Sequence, residues 1–341
     1  MKQNRQWRLR RRPVGEIREG DLELVSSALP DPGPGEILVR NVYLSLDPTN
    51  RIWMSDQEQY MPPVAIGAVM RGGTLGVVEA SNNADFAVGD WVRPGLGGWQ
   101  DYTLARADGP FPARRLPAVA GLPMTSHMSA LGSTGATAYF GLLDIGRPQP
   151  GDTIVVSAAA GAVGQIAGQI GKLKGCRVVG IAGSAEKCRY VVDELGFDAC
   201  IDYRRDNLPA ALHEHCPQGI DVDFENVGGE IMEAVIAHMK FKGRIALCGL
   251  ISQYNADDAA PGPRNFALIL MKRLRVEGFI VIDFLPRWGE FTVDMGKWIA
   301  AGKIKDRVTV VEGLESAVSS LGLLFSGGNT GKLLVKIGNE P

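Results

Sequence analysis

Ala158-Ala159-Ala160-Gly161-Ala162-Val163-Gly164 is a run of small residues. It follows the β-branched segment Thr153-Ile154-Val155-Val156 and precedes Ile166, Ile170 and Leu173 at helical spacing. Small residues at a strand-to-helix turn let the backbone approach a bound group. A helix N-terminus adds unpaired N–H donors and the positive end of a dipole. Those are the requirements of a dinucleotide pyrophosphate. The pattern reads AxxGxxG, with alanine in place of the first glycine of the usual fingerprint, so the strand–turn–helix setting carries most of its weight.

The other end of a dinucleotide is read about twenty residues on, where an NAD site places an acid against the ribose 2′-hydroxyl. Gly183 stands there, followed by Ser184-Ala185-Glu186-Lys187. The strand end carries no carboxylate, and Lys187 lies within one helical turn. A carboxylate would repel a 2′-phosphate, whereas lysine and serine would hold it. Glu186 is the nearest acid, and the balance favours NADP(H).

Zinc-activated carbonyl chemistry needs Cys and His ligands. The five cysteines are Cys176, Cys188, Cys200, Cys216 and Cys248. None precedes residue 176 and none forms a CxxC pair, so neither a zinc site nor a disulfide framework is legible. His127 alone cannot build a metal site. His213 and His215, two apart in an acidic, loop-like stretch, read as solvated surface. No metal is expected.

These residues need elements to position them. A chain of 341 residues suggests about two domains. Residues 1–130 read as mostly β, with strand-like runs at 37–44, 74–79, 90–92 and 100–104 between Gly, Pro and Asn turns. From about 136 to 300, apolar runs at 153–156, 177–182, 199–202, 221–224 and 244–250 alternate with helical patterns. This is the βαβ signature of a parallel, doubly wound sheet. Phe291, Met295, Trp298 and Ile299 mark a late helix, and strands return at 308–311 and 333–337. The fold class expected is α/β.

Charge bounds the partners. Lys+Arg number 36 against 38 Asp+Glu, giving −2, a balance that argues against a nucleic-acid binder. The cluster Arg5, Arg8, Arg10, Arg11 and Arg12 reads as a solvated first strand. The next residues, Pro13 to Arg18, are polar overall, so no export signal is visible. The longest apolar stretch, 153–171, is broken by glycines and glutamines and reads as strand, turn and helix rather than a membrane span. The expected setting is cytoplasmic.

Taken together, Ala158–Gly164, Phe224-Glu225-Asn226-Val227-Gly228-Gly229, Cys248–Asn255 and Gly278-Phe279-Ile280-Val281 resemble the zinc-independent medium-chain dehydrogenase/reductase superfamily. Within it, the likeness is to the NADPH-dependent alkenal/enone double-bond reductases. This family includes prostaglandin/leukotriene reductases, plant alkenal reductases and bacterial curcumin-reductase-like proteins. The likeness spans essentially the whole chain, including Val69–Gly73, Gly97–Gln100 and Thr137–Leu142.

The resemblance implies a GroES-like β-barrel domain (1–130 and 306–341) and a Rossmann NADP-binding domain (131–305), in a homodimer. It implies that Gly161, Ala162, Val163 and Gly164 touch the pyrophosphate. Lys187 and Tyr203, with Ser184, would hold the 2′-phosphate end. Asn226, Cys248, Gly249, Leu250, Ile251, Ser252, Tyr254, Phe279, Ile280, Val281 and Asn329 would line the rest of the cofactor. Read without it, Asn226 is a turn residue and Phe279 a core strand residue. One departure touches the substrate pocket. The family often reads Leu-Ser-x-Asp-Pro-Tyr-Met-Arg, where this chain has Thr49 and Asn50 before Arg51. Ser133 and Thr134 likewise replace Met-Pro.

The leading expectation is an enone/enal reductase: hydride reaches the β-carbon, Tyr254 stabilises the enolate, and the α-carbon is protonated. Tyr254 follows a parallel strand, where doubly wound sheets bind ligands. A phenol with a pKa near ~10 can donate at neutral pH, and the cofactor's ribose 2′-hydroxyl is a second donor. The alternatives are a quinone or carbonyl reductase of the same fold, or a non-catalytic NADPH-binding protein, and fold alone does not choose among them.

Overall fold

The computed structural model describes residues 2–119, 121–256 and 261–341. The first strands are β1 (Gln3–Leu9), β2 (Leu22–Ala28), β3 (Glu36–Leu46), β4 (Thr74–Ser81), β5 (Trp91–Arg93), β6 (Tyr102–Arg106) and β7 (Arg114–Arg115). β1 and β2 pair antiparallel with each other. β3 is the spine of the larger antiparallel sheet. One of its edges takes β4, while the other is shared by β6 at its start and the C-terminal strand at its end. Ile37 and Val39 enter one buried cluster, Leu44 and Leu46 another.

The arginine-rich start is not simply solvated. Arg5 pairs with Asp101, Arg11 with Asp21, and Arg12 donates to the Met54 and Ser55 carbonyls. The charges thus staple β1 and the loop after it to the rest of the β domain, an interaction that sequence spacing does not reveal.

The central sheet contains β8 (Thr153–Val156), β9 (Arg177–Ala182), β10 (Ala199–Asp202), β11 (Ile220–Glu225), β12 (Met239–Leu247) and β13 (Arg275–Gly278). Its order is β10-β9-β8-β11-β12-β13, with every pair parallel. The chain therefore winds outward from β8 in one direction and then returns to continue from β11 in the other. The crevice between the ends of β8 and β11 is the topological switch point, where such sheets bind ligands.

The helix Gly164–Leu173 lies close on this sheet because its inner face is glycine. A Cβ at Gly168 would stand 1.8 Å from the Phe197 ring, and one at Gly171 would stand 2.9 Å from Ile154. Residues 208–215, with His213 and His215, form a helix rather than the expected loop. Asn207 caps it by accepting the Ala210 N–H, and Leu212 is fully buried beneath the polar residues.

After the helix Trp288–Ala300, β14 (Val308–Glu312) and β15 (Lys332–Lys336) return to the β domain, where β15 pairs with β3. Lys332 is buried in that seam, and its Nζ donates to the Leu46 carbonyl and Asp47 Oδ1 at 2.8 and 2.7 Å. Among the described residues no helix is long and apolar enough to cross a membrane.

Candidate active site

The small-residue turn sits directly on the C-terminal end of β8. Ala158 has φ +48°, the left-handed region that glycine adopts most easily. The position thus demands what the usual glycine supplies, and alanine meets it at a conformational cost. Gly164 admits no side chain, since a Cβ would lie 2.3 Å from the Ala158 carbonyl. Gly161, Ala162 and Val163 head the helix Gly164–Leu173, where the first N–H groups have no intrahelical acceptor. The turn is braced from the far end of the chain: Gly331 N–H donates to the Ala160 carbonyl at 2.7 Å. Asn329, two residues earlier, donates back to the Gly331 carbonyl.

β9 and β10 end beside each other, and their loops bring Ser184, Lys187 and Tyr203 together. Ser184 Oγ accepts the Lys187 N–H at 3.3 Å, capping the short helix Ala185–Arg189. Gly183 leaves room for Tyr203, since a Cβ there would be 3.1 Å from its ring. Arg204, which the spacing of the first motif does not point to, joins them. Lys187 Nζ donates to the Gly327 carbonyl at 2.9 Å, and Arg204 Nη2 to the Ser326 carbonyl at 2.8 Å. The two cations converge on adjacent carbonyls rather than on carboxylates. Burial and then the Arg204 charge hold the Lys187 amine below its usual range. A phosphate would satisfy both charges. The missed signal was the triplet Asp202-Tyr203-Arg204 at the end of the strand next to β9.

At the switch point, Asn226 ties the two strand ends together. Its N–H donates to Ser157 Oγ and its Nδ2 to the Ser157 carbonyl, each at 2.7 Å. The loop after β12 is laced to the one after β11. Cys248 and Gly249 N–H donate to the Glu225 carbonyl, Ile251 N–H to that of Asn226, and Ser252 Oγ to that of Val227. Cys248 is pushed up to about 12 by burial and by Glu225, so its thiol is protonated at neutral pH.

This lacing presents Tyr254. Its phenolic oxygen accepts the Leu250 N–H at 3.0 Å. Burial raises its pKa and the Leu250 N–H opposes that rise. Phe279 follows β13 and packs edge-on against Phe224 and Phe284, filling space left by Gly141. Its ring therefore belongs to the core, while the extended backbone at Ile280 leads on to Val281.

The β-domain segment that departs from the family pattern lies on the short helix Thr49–Trp53. The Thr49 and Tyr60 hydroxyls hydrogen-bond to each other. Asn50 is fully buried, with its Oδ1 accepting the Asp47 N–H at 2.8 Å and its Nδ2 donating to the Arg71 carbonyl at 3.2 Å. His127 bonds the Pro117 carbonyl through Nε2. Among the described residues no cluster of three or more His, Cys, Asp or Glu side chains is placed to hold a metal ion.

A parallel sheet with a phosphate-ready turn at its switch point, joined to an antiparallel β domain, is the architecture of a nucleotide-binding α/β protein. Comparison with known proteins narrows the class. A family model described as the N-terminal domain of oxidoreductase matches residues 5–112, and one described as zinc-binding dehydrogenase matches residues 162–300. The chain is 45% identical over 344 residues to the NADPH-dependent curcumin reductase of Escherichia coli (strain K12), covering 99% of this chain and 98% of that one. It is 39% identical over 345 residues to the 2-alkenal reductase (NADP(+)-dependent) of Nicotiana tabacum, covering 99% and 98%. The crystal structure of CurA in complex with NADPH from Vibrio vulnificus matches with a TM-score of 0.91 at 47% identity, over 98% of this chain and 99% of that one. The chain belongs to the NADPH-dependent enone and alkenal reductase family of the medium-chain dehydrogenases/reductases.

Proposed function

We propose that this protein, an NADP-dependent oxidoreductase, reduces the C=C bond of α,β-unsaturated ketones and aldehydes, with Tyr254 as the residue that stabilises the enolate. NADPH, when bound, supplies the hydride. The residues present fit it: the Gly161–Gly164 turn for the pyrophosphate, and Ser184, Lys187, Tyr203 and Arg204 for the 2′-phosphate. Asn226, Asn329 and the backbone of residues 248–252 and 279–281 are assigned to the rest of the cofactor.

The observation that carries the reading is the hydrogen bond at Tyr254. Its oxygen accepts the Leu250 N–H, which leaves the phenol O–H to donate to a second partner. Hydride addition at the β-carbon places negative charge on the acceptor's carbonyl oxygen. A donor held in advance where that charge develops lowers the barrier. Burial keeps Tyr254 protonated across the neutral range. The protonated Cys248 thiol is a poor competitor as nucleophile toward an electrophilic acceptor. The α-carbon proton is assigned to solvent. Thr49 belongs to the acceptor pocket through Tyr60, and Asn50 to the frame that holds Arg71.

A homodimer fits the sheet. β13 is its edge, and Phe266, Leu270 and Met271 beside that edge are 66%, 71% and 59% exposed. Unpaired edges with apolar flanks are partner-seeking surfaces. The test of function is NADPH consumption with a panel of enones, enals and quinones, with identification of the products. Saturated ketones and aldehydes are the expected products. Allylic alcohols or semiquinones would move the assignment to the carbonyl or quinone reading.

A further inference from the structure

The helix Ala317–Ser326 belongs to the β domain, where Ala317 and Leu321 share a buried cluster with Leu44, Leu46 and Leu333. Its C-terminus ends against the other domain. The helix stops at Gly327, whose φ of +74° is the left-handed region, and the Gly328 N–H closes the turn on the Leu323 carbonyl at 2.8 Å. Such a turn leaves the last carbonyls without intrahelical donors, at the negative end of the helix dipole. Here charges from the parallel-sheet domain meet them. Arg204 Nη2 donates to the Ser326 carbonyl and Lys187 Nζ to that of Gly327, at 2.8 and 2.9 Å. The two cations assigned to the 2′-phosphate therefore also cap a helix of the β domain.

An ammonium and a guanidinium each carry several N–H donors, so both keep donors for a phosphate after bonding one carbonyl. What the carbonyls remove is freedom. Long cationic side chains on a surface sample many rotamers, and fixing them on a ligand costs entropy. The Tyr203 ring steadies one of them further, with its centroid 5.8 Å from the Arg204 guanidinium carbon. Gly327 turns its open face to the same place, since a Cβ there would stand 3.4 Å from Arg204 Nη2 and 3.7 Å from Lys187 Nζ. A few residues on, the Gly331 N–H holds the Ala160 carbonyl of the pyrophosphate turn. One short segment thus touches the residues assigned to both phosphate positions.

We infer that the C-terminal turn of the helix Ala317–Ser326 is a positioning element for coenzyme choice. The Ser326 and Gly327 carbonyls hold Arg204 and Lys187 ready for the 2′-phosphate, and Gly327, through its left-handed backbone, is the residue on which that placement depends. This rests on the assignment of Lys187 and Arg204 to NADP(H) above. By linkage, a bound 2′-phosphate holds the turn in place to the same extent that the turn favours the phosphate.

The experiment measures binding of adenosine 2′,5′-bisphosphate and of AMP, which lacks the 2′-phosphate, by calorimetry on the full chain. A β-branched residue takes the left-handed conformation only under strain, so Gly327→Val should open the turn, whereas Gly327→Asn tolerates it. Gly327→Val should weaken the bisphosphate about tenfold or more and leave AMP within about twofold. Gly327→Asn should bind the bisphosphate within about threefold of the wild type. Hydrogen exchange at the Gly327 and Gly328 amides, which both donate to the Leu323 carbonyl, is the second readout on the wild type. The bisphosphate should slow it and AMP should not. Full bisphosphate affinity in Gly327→Val, equal weakening of both ligands, or exchange that the bisphosphate fails to slow overturns the inference. If Gly327→Val does not fold, the exchange comparison decides alone. A wild type that binds the two ligands alike removes the 2′-phosphate site itself, and this inference with it.

Discussion

At Tyr254 the phenolic oxygen accepts the Leu250 N–H, and the role proposed for it adds donation of its own proton to the acceptor. Tyr254→Phe removes both, the proton and the acceptor of the Leu250 N–H, while keeping the ring. It should lower kcat by roughly ten- to a thousandfold, the scale of one lost oxyanion donor or general acid, with NADPH affinity nearly unchanged. Steady-state kinetics on the best enone would check it, and full kcat in the variant would reduce Tyr254 to a wall of the pocket. At the other end of the crevice, Lys187→Ala and Arg204→Ala should each raise the KM for NADPH about ten- to a hundredfold and leave NADH almost untouched. Each loses a charged hydrogen bond worth roughly 1.5–3 kcal/mol. Equal losses for both cofactors would refute the 2′-phosphate role. Lys187 was legible because it follows the missing acid at a known spacing. Arg204 was not, because it comes from the next strand, and only parallel pairing of β9 and β10 makes the two neighbours.

Within β11, Asp223 and Glu225 point the same way into a region with no exposure. Glu225 Oε1 accepts from Ser157 and from the Val227 and Gly228 N–H groups, whereas neither oxygen of Asp223 meets a protein partner. Burial, and then Glu225, push the Asp223 carboxyl well above the ordinary carboxylate range. The folded state therefore binds this proton more tightly than the unfolded chain does. Its stabilising effect is complete below a pH of about 4 and is lost as pH rises toward the raised value, with a limiting slope of about 1.4 kcal/mol per pH unit. Denaturant midpoints at pH 5 and pH 8 should differ less in Asp223→Asn than in the wild type. An unchanged difference would mean the carboxyl is not protonated in the folded state. The strands themselves were readable, because Thr153–Val156 and Arg177–Ala182 are β-branched runs between turn residues. The helix Leu208–His215 was hidden because its apolar face is short, only Leu208, Ala211 and Leu212. β13 was hidden too, being a short edge strand whose exposed residues lack an apolar pattern.

Across the whole molecule, the two sheets are bound together by the returning C-terminal segment. Gln165 and Gln169 on the first helix of the parallel sheet hold the backbone of Arg307 and Lys305. Gly331 then touches the nucleotide turn and Lys332 anchors β15 beside β3. The strand pattern at both chain ends hinted at this return, but no residue type announces a closure between positions 160 and 331. The exposed apolar residues beside the β13 edge bear on assembly. Light scattering should give twice the 36.6 kDa chain mass, and Leu270→Glu with Met271→Glu should halve it. A monomeric wild type would contradict the dimer. Hydride addition to carbon rather than to the carbonyl is tested most directly with NADPH deuterated at the transferable C4 position. Reduction of an enone should give the saturated ketone with one deuterium on the β-carbon and none on the carbonyl carbon. Deuterium on the carbinol carbon of an allylic alcohol would contradict it.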